Sequence, residues 1–311
     1  MSKTFNKSLK KKKYKFKNGV YNFLNNKPHY SDTFSLEYEK FSKIQYDSFN
    51  KLDITNNRFY ACSRWSKNEI KNKNLLEVGS GGGRFTEIIL KSKSNLYTFD
   101  SSNAIYTNYK NNKKKILNKK SYFIKADIID LPFKKKFFDY IFCYGVIQNT
   151  KNPLNIINVL INFLNSNGKL SCDVTKGNNY NLHLLNPKYF WRILSTKIDE
   201  RKLFNIVNFY VNKFYGIDTF LKKNLGVFGK FISRIIFPLP LINYHYLNLK
   251  KQLKINWSIL DTFDCLASKY DNPLNKIIIQ KYLKNLKKNN KSIKKAYFFE
   301  TNNTFVINIE K

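Results

Sequence analysis

The fold is decided by the stretch Leu75-Leu76-Glu77-Val78-Gly79-Ser80-Gly81-Gly82-Gly83-Arg84-Phe85-Thr86. An apolar run precedes the glycines and a helical pattern follows them, which indicates a strand, a glycine-rich turn and a helix. Glycines at alternate positions let the backbone pass close to a bound ligand, where any side chain would collide. The stretch therefore predicts a cofactor site at the end of a strand.

Acidic residues end three successive apolar runs around this turn. Glu77 precedes the glycines, Asp100 ends the run that starts at residue 95, and Asp127 follows the run that starts at residue 122. We expect Asp100 to accept hydrogen bonds from ribose hydroxyls and Asp127 to accept one from an adenine amino group. The ordered set favours a nucleoside cofactor with a cationic centre over three unrelated helix caps.

The spacing of the glycines separates two classes of cofactor. A dinucleotide fingerprint, G-x-G-x-x-G, beginning at Gly79 needs glycine or alanine at position 84, which is Arg84. Glu77 also places a carboxylate where a pyrophosphate would make it unfavourable. S-adenosylmethionine (SAM) has no phosphate and carries a sulfonium cation, so the sequence favours SAM.

Strand and helix patterns alternate on both sides of the turn. The predicted strands cover residues 74–78, 95–100, 122–126, 138–143 and 169–174, and the predicted helices cover 84–90, 103–112 and 155–164. Two closing strands, 295–300 and 304–309, predict a hairpin. We predict an α/β fold: a Rossmann-like, doubly wound, mostly parallel seven-stranded sheet with an antiparallel last strand, plus a helical insertion.

This pattern divides the chain into four predicted parts. They are a basic N-terminal leader with a helix near the cleft (1–69), a cofactor-binding core (70–176), a helical insertion or lid (177–273), and a C-terminal helix and hairpin that complete the core (274–311). The helix of the leader is predicted over Ser35–Phe49.

The charge of the chain has two interpretations. Its 311 residues include 56 Lys and Arg but only 21 Asp and Glu, for a net charge of +35. Lysine supplies most of this excess and accompanies many Asn, Ile and Tyr residues, which is typical of AT-rich coding sequence. We therefore expect weak association with anionic surfaces, including membranes, but no specific nucleic-acid partner.

Neither a metal site nor a membrane span is predicted. The four cysteines are scattered, with no C-x-x-C pair. The start of the sequence lacks a signal-peptide core, and the apolar stretch 227–242 is interrupted by Lys230, Arg234 and two prolines. We predict a cytoplasmic protein and consider a peripheral position at the inner face of the membrane.

Several motifs together resemble the class I SAM-dependent methyltransferase family, in its methyltransferase type 11 branch. The matching pieces lie between residues 74 and 175, and they are Glu77 to Gly83, Phe99-Asp100-Ser101-Ser102, Ala126-Asp127 with Leu131-Pro132-Phe133, Phe138 to Thr150, Asn152-Pro153, and Leu164 to Leu170.

The resemblance implies SAM as cofactor and a cleft at the strand ends. The predicted cofactor-binding residues are Glu77, Gly79, Ser80, Gly81, Gly83, Arg84, Phe85, Asp100, Ser101, Asp127, Ile128, Tyr144 and Gly145, with Tyr144 contributing through its backbone. Methyl transfer from a sulfonium mainly requires alignment and exclusion of water, so a strong catalytic motif is not expected.

The sequence offers several candidate catalytic residues and does not single one out. Many relatives have histidine where this chain has Asn149, which removes one imidazole that could act as a base. The candidates near the predicted mouth are Gln148, Asn149, Asp264 and His183. Asp261, Tyr270 and Asp271 are further candidates for holding an acceptor.

The predicted activity is methyl transfer from SAM to a small-molecule, sugar or glycan, or lipid-linked acceptor. Two alternatives remain. One is a nucleic-acid methyltransferase, although Gln148-Asn149-Thr150 stands where such enzymes carry N-P-P-[YF]. The other is a non-catalytic, membrane-peripheral binding protein with the same fold.

Overall fold

The structure is a computed structural model that describes residues 3–10, 13–24, 35–116, 120–177, 187–237 and 239–311. Its strands are β1 (Lys15–Lys17), β2 (Val20–Asn22), β3 (Asn74–Val78), β4 (Asn95–Asp100), β5 (Ser121–Lys125), β6 (Phe138–Cys143), β7 (Leu164–Thr175), β8 (Lys295–Glu300) and β9 (Thr304–Glu310).

The helices before the lid are α1 (Lys3–Ser8), α2 (Ser35–Lys40), α3 (Asp47–Asn50), α4 (Ile54–Ser63), α5 (Lys67–Ile70), α6 (Arg84–Lys91), α7 (Ala104–Asn112) and α8 (Pro153–Phe163). The lid contains α9 (Pro187–Ser195), α10 (Glu200–Asn224), α11 (Gly226–Ile236) and α12 (Lys251–Ala267), and α13 (Lys276–Asn289) follows it.

One sheet holds all these strands, in the order β1-β2-β5-β4-β3-β6-β7-β9-β8. In this order, the five neighbouring strands β5, β4, β3, β6 and β7 are parallel. Strand β9 runs antiparallel to both β7 and β8. The strand order reverses direction at β3, from which the chain goes first to β4 and β5 and then across to β6. This switch point is where an open α/β sheet forms a cleft at the carboxyl ends of its strands.

Alternating side chains of the strands bury both faces of the sheet. Leu76 belongs to a cluster that includes Ile157 and Leu160 of α8 and Ile279 of α13. Its neighbour Leu75 belongs to the opposite cluster, with residues of α4 and α6. Because successive side chains of a strand point to opposite faces, β3 is covered by helices on both sides. The predicted doubly wound α/β class is confirmed.

The strand number differs from the prediction. Across the described residues the sheet has nine strands, not seven, because the leader adds β1 and β2. Asn18 and Gly19 both have positive φ, 51° and 79°, as a tight hairpin turn requires. The hairpin then pairs β2 parallel to β5 and extends that edge of the sheet.

The lid has its own hydrophobic cluster beside the sheet. Leu203, Phe204 and Val207 of α10 pack against Ile259 and Phe263 of α12, all of them almost fully buried. Helix α12 also contacts α2 of the leader. None of the described helices is long and apolar enough to cross a membrane.

Candidate active site

The glycine turn between β3 and α6 has a backbone that only glycine adopts easily. Gly79, Gly81 and Gly83 have φ values of +64°, +52° and +92°. A Cβ on Gly79 would collide with the side chain of Val146, and one on Gly81 would lie 2.9 Å from the ring of Tyr38. The turn therefore needs glycine both for its conformation and for close packing.

A cavity opens beside this turn at the carboxyl ends of β3, β4 and β6. It contains about 620 Å³ of empty space, including the part that is open to solvent. The lining residues are Val78, Gly79, Phe99, Asp100, Ser101, Ile128, Gly145, Val146, Asn149 and Thr150.

Asp100 is the acidic residue of this cavity, and three donors orient its carboxylate. Oδ2 accepts a hydrogen bond from the Gly81 amide at 2.8 Å. Oδ1 accepts bonds from the amide and the hydroxyl of Ser102, at 2.8 and 2.7 Å. A carboxylate has about four acceptor positions, so Asp100 keeps capacity for a further donor in the cavity.

The predicted cofactor residues divide into three groups. Gly79, Asp100, Ser101, Ile128 and Gly145 line the cavity. Ser80, Gly83 and Arg84 line a second, smaller cavity under the leader. In the described part of the chain, Glu77, Gly81, Phe85, Asp127 and Tyr144 are not among the residues lining either one.

Glu77 lies beneath the turn and is 1% exposed. Its Oε2 accepts a hydrogen bond from the Thr86 hydroxyl at 2.5 Å, whereas Oε1 has no partner in the described structure. Burial raises the pKa of the Glu77 carboxyl to about 7, although hydrogen bonds from Thr86 and Thr98 oppose this effect. The side chain thus ties the turn to the start of α6, and its contact with a cofactor stays a prediction.

Tyr144 and Asp127 also make contacts within the protein. The Tyr144 ring stacks on Phe142 with centroids 4.2 Å apart, and its hydroxyl lies 2.8 Å from that of Ser171. Asp127 accepts a hydrogen bond from the Ile129 amide at 3.0 Å. Their roles at a cofactor stay predictions, and Tyr144 would contribute only its backbone.

Sequence reasoning missed Asp173, a buried acid on β7. Its Oδ1 accepts a hydrogen bond from the Gly145 amide at 2.6 Å, and its Oδ2 forms an ion pair with Arg58 at 2.6 Å. Gly145 has a φ of +74°. Asp173 therefore fixes the turn after β6 that forms one wall of the cavity. The available signal was an acid between Cys172 and Val174 within a predicted strand.

The leader covers the glycine turn with two tyrosines. Tyr38 of α2 contacts Gly81 and Gly82, and the Tyr46 hydroxyl donates a hydrogen bond to the Gly82 carbonyl at 2.5 Å. Sequence reasoning missed both residues, although it placed a helix here. The predicted Ser35–Phe49 helix is wrong in its extent: the chain turns between α2 and α3, so that Tyr46 reaches the glycine turn.

Three carboxyl groups gather where α2 meets α12. Glu37 is 0% exposed, and neither of its oxygens has a hydrogen-bond partner in the described structure. Burial, together with the charges of Asp264 and Asp261, raises its pKa. Asp261 accepts hydrogen bonds from Gln45 and Tyr244, and burial raises its pKa as well.

Asp264 is half-buried, as is Asp261, but it has neither a hydrogen bond nor an ion pair in the described part of the chain. Burial and the Asp261 and Asp271 charges raise its pKa to about 7, while Lys188 and Arg84 oppose them. A carboxyl group with such a pKa can exchange protons near neutral pH.

The loop after β6 joins the lid at the mouth of the cavity. Asn149 donates to the Gly145 carbonyl at 3.3 Å and accepts from the Ser268 hydroxyl at 3.1 Å. The Gln148 carbonyl accepts from the Asn272 amide at 2.8 Å, and Gln148 Oε1 is buried without a partner in the described structure. The predicted candidate His183 lies outside the described residues. Within them, no group of acidic, His and Cys side chains could hold a metal ion.

Comparison with known protein families gives one domain match. A family model described as a methyltransferase domain, of type 11, matches residues 76–172. The matched segment includes the glycine turn, Asp100 and the loop after β6. This chain is a SAM-dependent methyltransferase.

Similar proteins have the same class of activity. The methyltransferase is 27% identical over 206 residues to malonyl-[acyl-carrier protein] O-methyltransferase 1 of Ilyobacter polytropus, a match that covers 61% of this chain and 72% of that protein. A crystal structure from Methanococcus maripaludis, assigned as a SAM-dependent methyltransferase, is 14% identical with a TM-score of 0.46, and covers 93% of this chain and 96% of that one. Phosphoethanolamine N-methyltransferase 1 of Haemonchus contortus, with S-adenosylhomocysteine bound, is 18% identical with a TM-score of 0.38, and covers 48% of this chain and 33% of that one.

The cavity of the methyltransferase suits SAM in its shape and in its chemistry. Gly79 has no side chain where the turn lines the cavity, and a Cβ there would collide with Val146 in the cavity wall. Asp100 offers an acceptor for hydroxyl groups, while Phe99, Ile128 and Val146 supply apolar walls for a flat ring.

Proposed function

We propose that SAM occupies the cavity at the ends of β3, β4 and β6. The observation that carries this proposal is that Gly79, Asp100 and Gly145 line one cavity although they lie at the ends of three different strands. Asp100 would accept hydrogen bonds from ribose hydroxyls, with Ser101 beside it. The apolar side chains of Phe99 and Ile128 would contact the adenine ring.

When bound, SAM supplies an activated methyl group on a sulfonium. The chain would then hold and orient the reactants and keep water away. Tyr38 and Tyr46 close the glycine turn from the leader side. On the opposite side, the hydrogen bond between Ser268 and Asn149 joins the lid to the cavity wall. The acceptor would enter between these two sets of contacts.

Asp264 is the best-supported candidate for accepting a proton from the acceptor. It lies on α12 about one turn before Ser268, whose hydroxyl bonds to Asn149 in the cavity wall. With a pKa of about 7, it is ionised in part of the molecules at neutral pH. A base is needed only for an acceptor that must lose a proton, such as a hydroxyl or an ammonium group.

This arrangement favours a small-molecule, glycan or lipid-linked acceptor with such a group. Glu37 and Asp261 lie near Asp264, so an acceptor with a positive charge or a proton to donate would be stabilised there. An acceptor that carries its own carboxylate would instead meet repulsion.

A second candidate acceptor is a carboxylate carried on an acidic carrier protein. The relative from Ilyobacter polytropus is named for malonyl-[acyl-carrier protein]. The net charge of +35 would attract an acidic partner. Such an acceptor is already ionised and needs no base, so it would leave Asp264 without a role.

Labelled methyl transfer distinguishes these acceptors. The methyltransferase is incubated with methyl-labelled SAM and a cell extract, and the products are separated into small-molecule, lipid, protein and nucleic-acid fractions. We expect label in the small-molecule or lipid fraction. Label on an acidic carrier protein would support the second candidate. Label confined to nucleic acid would contradict both.

A further inference from the structure

Helix α11 has an inverted pattern of burial. Its large apolar side chains are exposed: Val227 by 84%, Phe228 by 65%, Phe231 by 60% and Ile235 by 68%. These positions share one side of the helix. The buried residues of α11 are instead the small ones, Gly229 and Ser233.

The two small residues explain how α11 is held in this orientation. A Cβ on Gly229 would collide with the Leu221 carbonyl of α10, so the two backbones lie in close contact. Ser233 donates a hydrogen bond to Asp218 of α10. Asp218 is itself buried and paired with Lys222 at 2.8 Å. Helix α11 is thus anchored through its small face, with its large apolar side chains in solvent.

Helix α10 also has a stripe of exposed apolar side chains. Ile206, Phe209, Ile217 and Phe220 are exposed by 45%, 67%, 52% and 63%. Their spacing of three, eight and three residues keeps them within one stripe of the helix. This stripe differs from the side of α10 that packs against α12. The two exposed stripes together are the lid's apolar face.

The two helices that carry this face are rich in basic residues. Between positions 200 and 236 the sequence has seven Lys or Arg residues but only two acidic ones, Glu200 and the buried Asp218. Lys230 and Arg234 flank the exposed apolar side chains of α11 itself. Apolar side chains flanked by Lys and Arg are the pattern of helices that lie in a membrane interface.

We propose that the lid's apolar face docks on the surface of an anionic membrane. The exposed Phe, Ile and Val side chains would enter the boundary between headgroups and acyl chains, and the basic side chains would bind anionic headgroups. Each Lys or Arg near such a surface raises the affinity roughly fivefold. Helix α12 links this face to the site, because it contacts α10 and carries Asp264.

A second copy of this chain fits the face less well than a bilayer. A two-fold interface would bring the same basic residues of both copies together. That repulsion would oppose pairing, whereas anionic lipid neutralises the same charges.

Vesicle flotation tests the proposal with the full chain. We expect binding to phosphatidylcholine vesicles that contain about 30% phosphatidylglycerol, at about 0.15 M salt, and much weaker binding to phosphatidylcholine alone. The double variant Phe228→Glu and Phe231→Glu should bind the anionic vesicles at least about tenfold more weakly.

A matched control carries the same change of charge elsewhere. Phe16→Glu and Ile277→Glu replace two residues that are both 60% exposed but lie outside the lid. This variant should bind vesicles almost as well as the unmodified chain. Circular dichroism checks that both double variants fold, and SAM titration checks their cofactor site. A loss of vesicle binding is thereby distinguished from a loss of folding or of SAM binding.

Two results would overturn the proposal. One is equal vesicle binding by the α11 variant and the unmodified chain, or no binding by either. The other is a dimer in light scattering that the Phe228 and Phe231 changes dissociate, which would assign the face to a second copy.

Discussion

At the scale of single residues, burial gives the carboxyl groups of this site different properties. Asp100 lines the cavity and accepts three hydrogen bonds there. Hydrogen bonds offset the burial of Glu77 only in part, Asp264 accepts none in the described part of the chain, and burial raises the pKa of each to about 7. Glu77 is enclosed beneath the glycine turn, whereas Asp264 is half-buried. Of these three carboxyl groups, Asp264 is the one that we propose exchanges a proton with a substrate.

Replacing Asp264 should remove a pH-dependent step. For an acceptor that must lose a proton, the Asp264→Asn variant should lower kcat by roughly 10²–10⁴-fold. The kcat of the unmodified enzyme should rise as the pH increases through about 7, because the base must be ionised. The variant should lack this rise. Steady-state kinetics between acidic and alkaline pH measure both effects.

The matched control is Asp53→Asn, since Asp53 is an exposed carboxylate outside the site. It should leave kcat and its pH profile unchanged. An unchanged pH profile in Asp264→Asn would show that another group accepts the proton.

Glu77 should influence the pH dependence of stability. Its carboxyl has a pKa of about 7 in the folded chain and an ordinary value of 4.5, so the folded state binds the extra proton between these values. Stability should therefore fall as the pH rises from 4.5 to 7, by an amount on the order of 3 kcal/mol. Glu77→Gln should reduce this slope in urea unfolding. An identical slope in both chains would contradict the assignment.

At the scale of elements, the glycine turn is held from three directions. The loop after β6 contacts it through Val146, helix α2 contacts it through Tyr38, and Glu77 bonds to Thr86 beneath it. The shape of the turn is thus a property of the surrounding elements as well as of its glycines.

Two glycine-to-alanine substitutions distinguish the requirement for glycine in the turn from the general effect of adding a methyl group. Gly79→Ala forces a left-handed conformation and a collision with Val146, so it should lower stability by about 1–3 kcal/mol and weaken SAM binding. Gly216→Ala lies in α10 with no atom near the new Cβ, and should raise stability by about 1 kcal/mol. Thermal unfolding measures both, and destabilisation of equal size in the two variants would contradict this account.

The core elements could be predicted from sequence because their patterns are local. The strands predicted at 74–78, 95–100 and 138–143 coincide with β3, β4 and β6. Each is a short apolar run of the kind that forms a buried parallel strand. The strand predicted at 169–174 begins earlier, at Leu164, because Leu164 pairs with Phe138 across a bulge. That pairing depends on a distant strand.

The leader was harder to predict, although one local signal was present. Asn18-Gly19 between Phe16 and Val20 is a strong hairpin signal, and it does form the turn between β1 and β2. The pairing of β2 with β5, some hundred residues away, has no local signature. The contacts of Tyr38 and Tyr46 with the glycine turn are likewise tertiary, so the sequence alone did not reveal them.

At the scale of the whole molecule, the site forms where three parts of the chain meet. The sheet supplies the cavity, the leader covers the glycine turn, and the lid supplies α12 with Asp261 and Asp264. The acidic cluster exists only because α2 and α12 come together. Acceptor specificity should therefore vary with the leader and the lid, while cofactor binding depends on the sheet.

The most direct measurement is a calorimetric titration of SAM into the unmodified chain, Asp100→Asn and the control Asp53→Asn. We expect saturable heat for the unmodified chain and for Asp53→Asn. We expect an affinity at least about tenfold weaker for Asp100→Asn, because a charged acceptor for the ribose hydroxyls is lost. No heat with the unmodified chain, or equal affinities for the two variants, would contradict the placement of the cofactor at the ends of β3, β4 and β6.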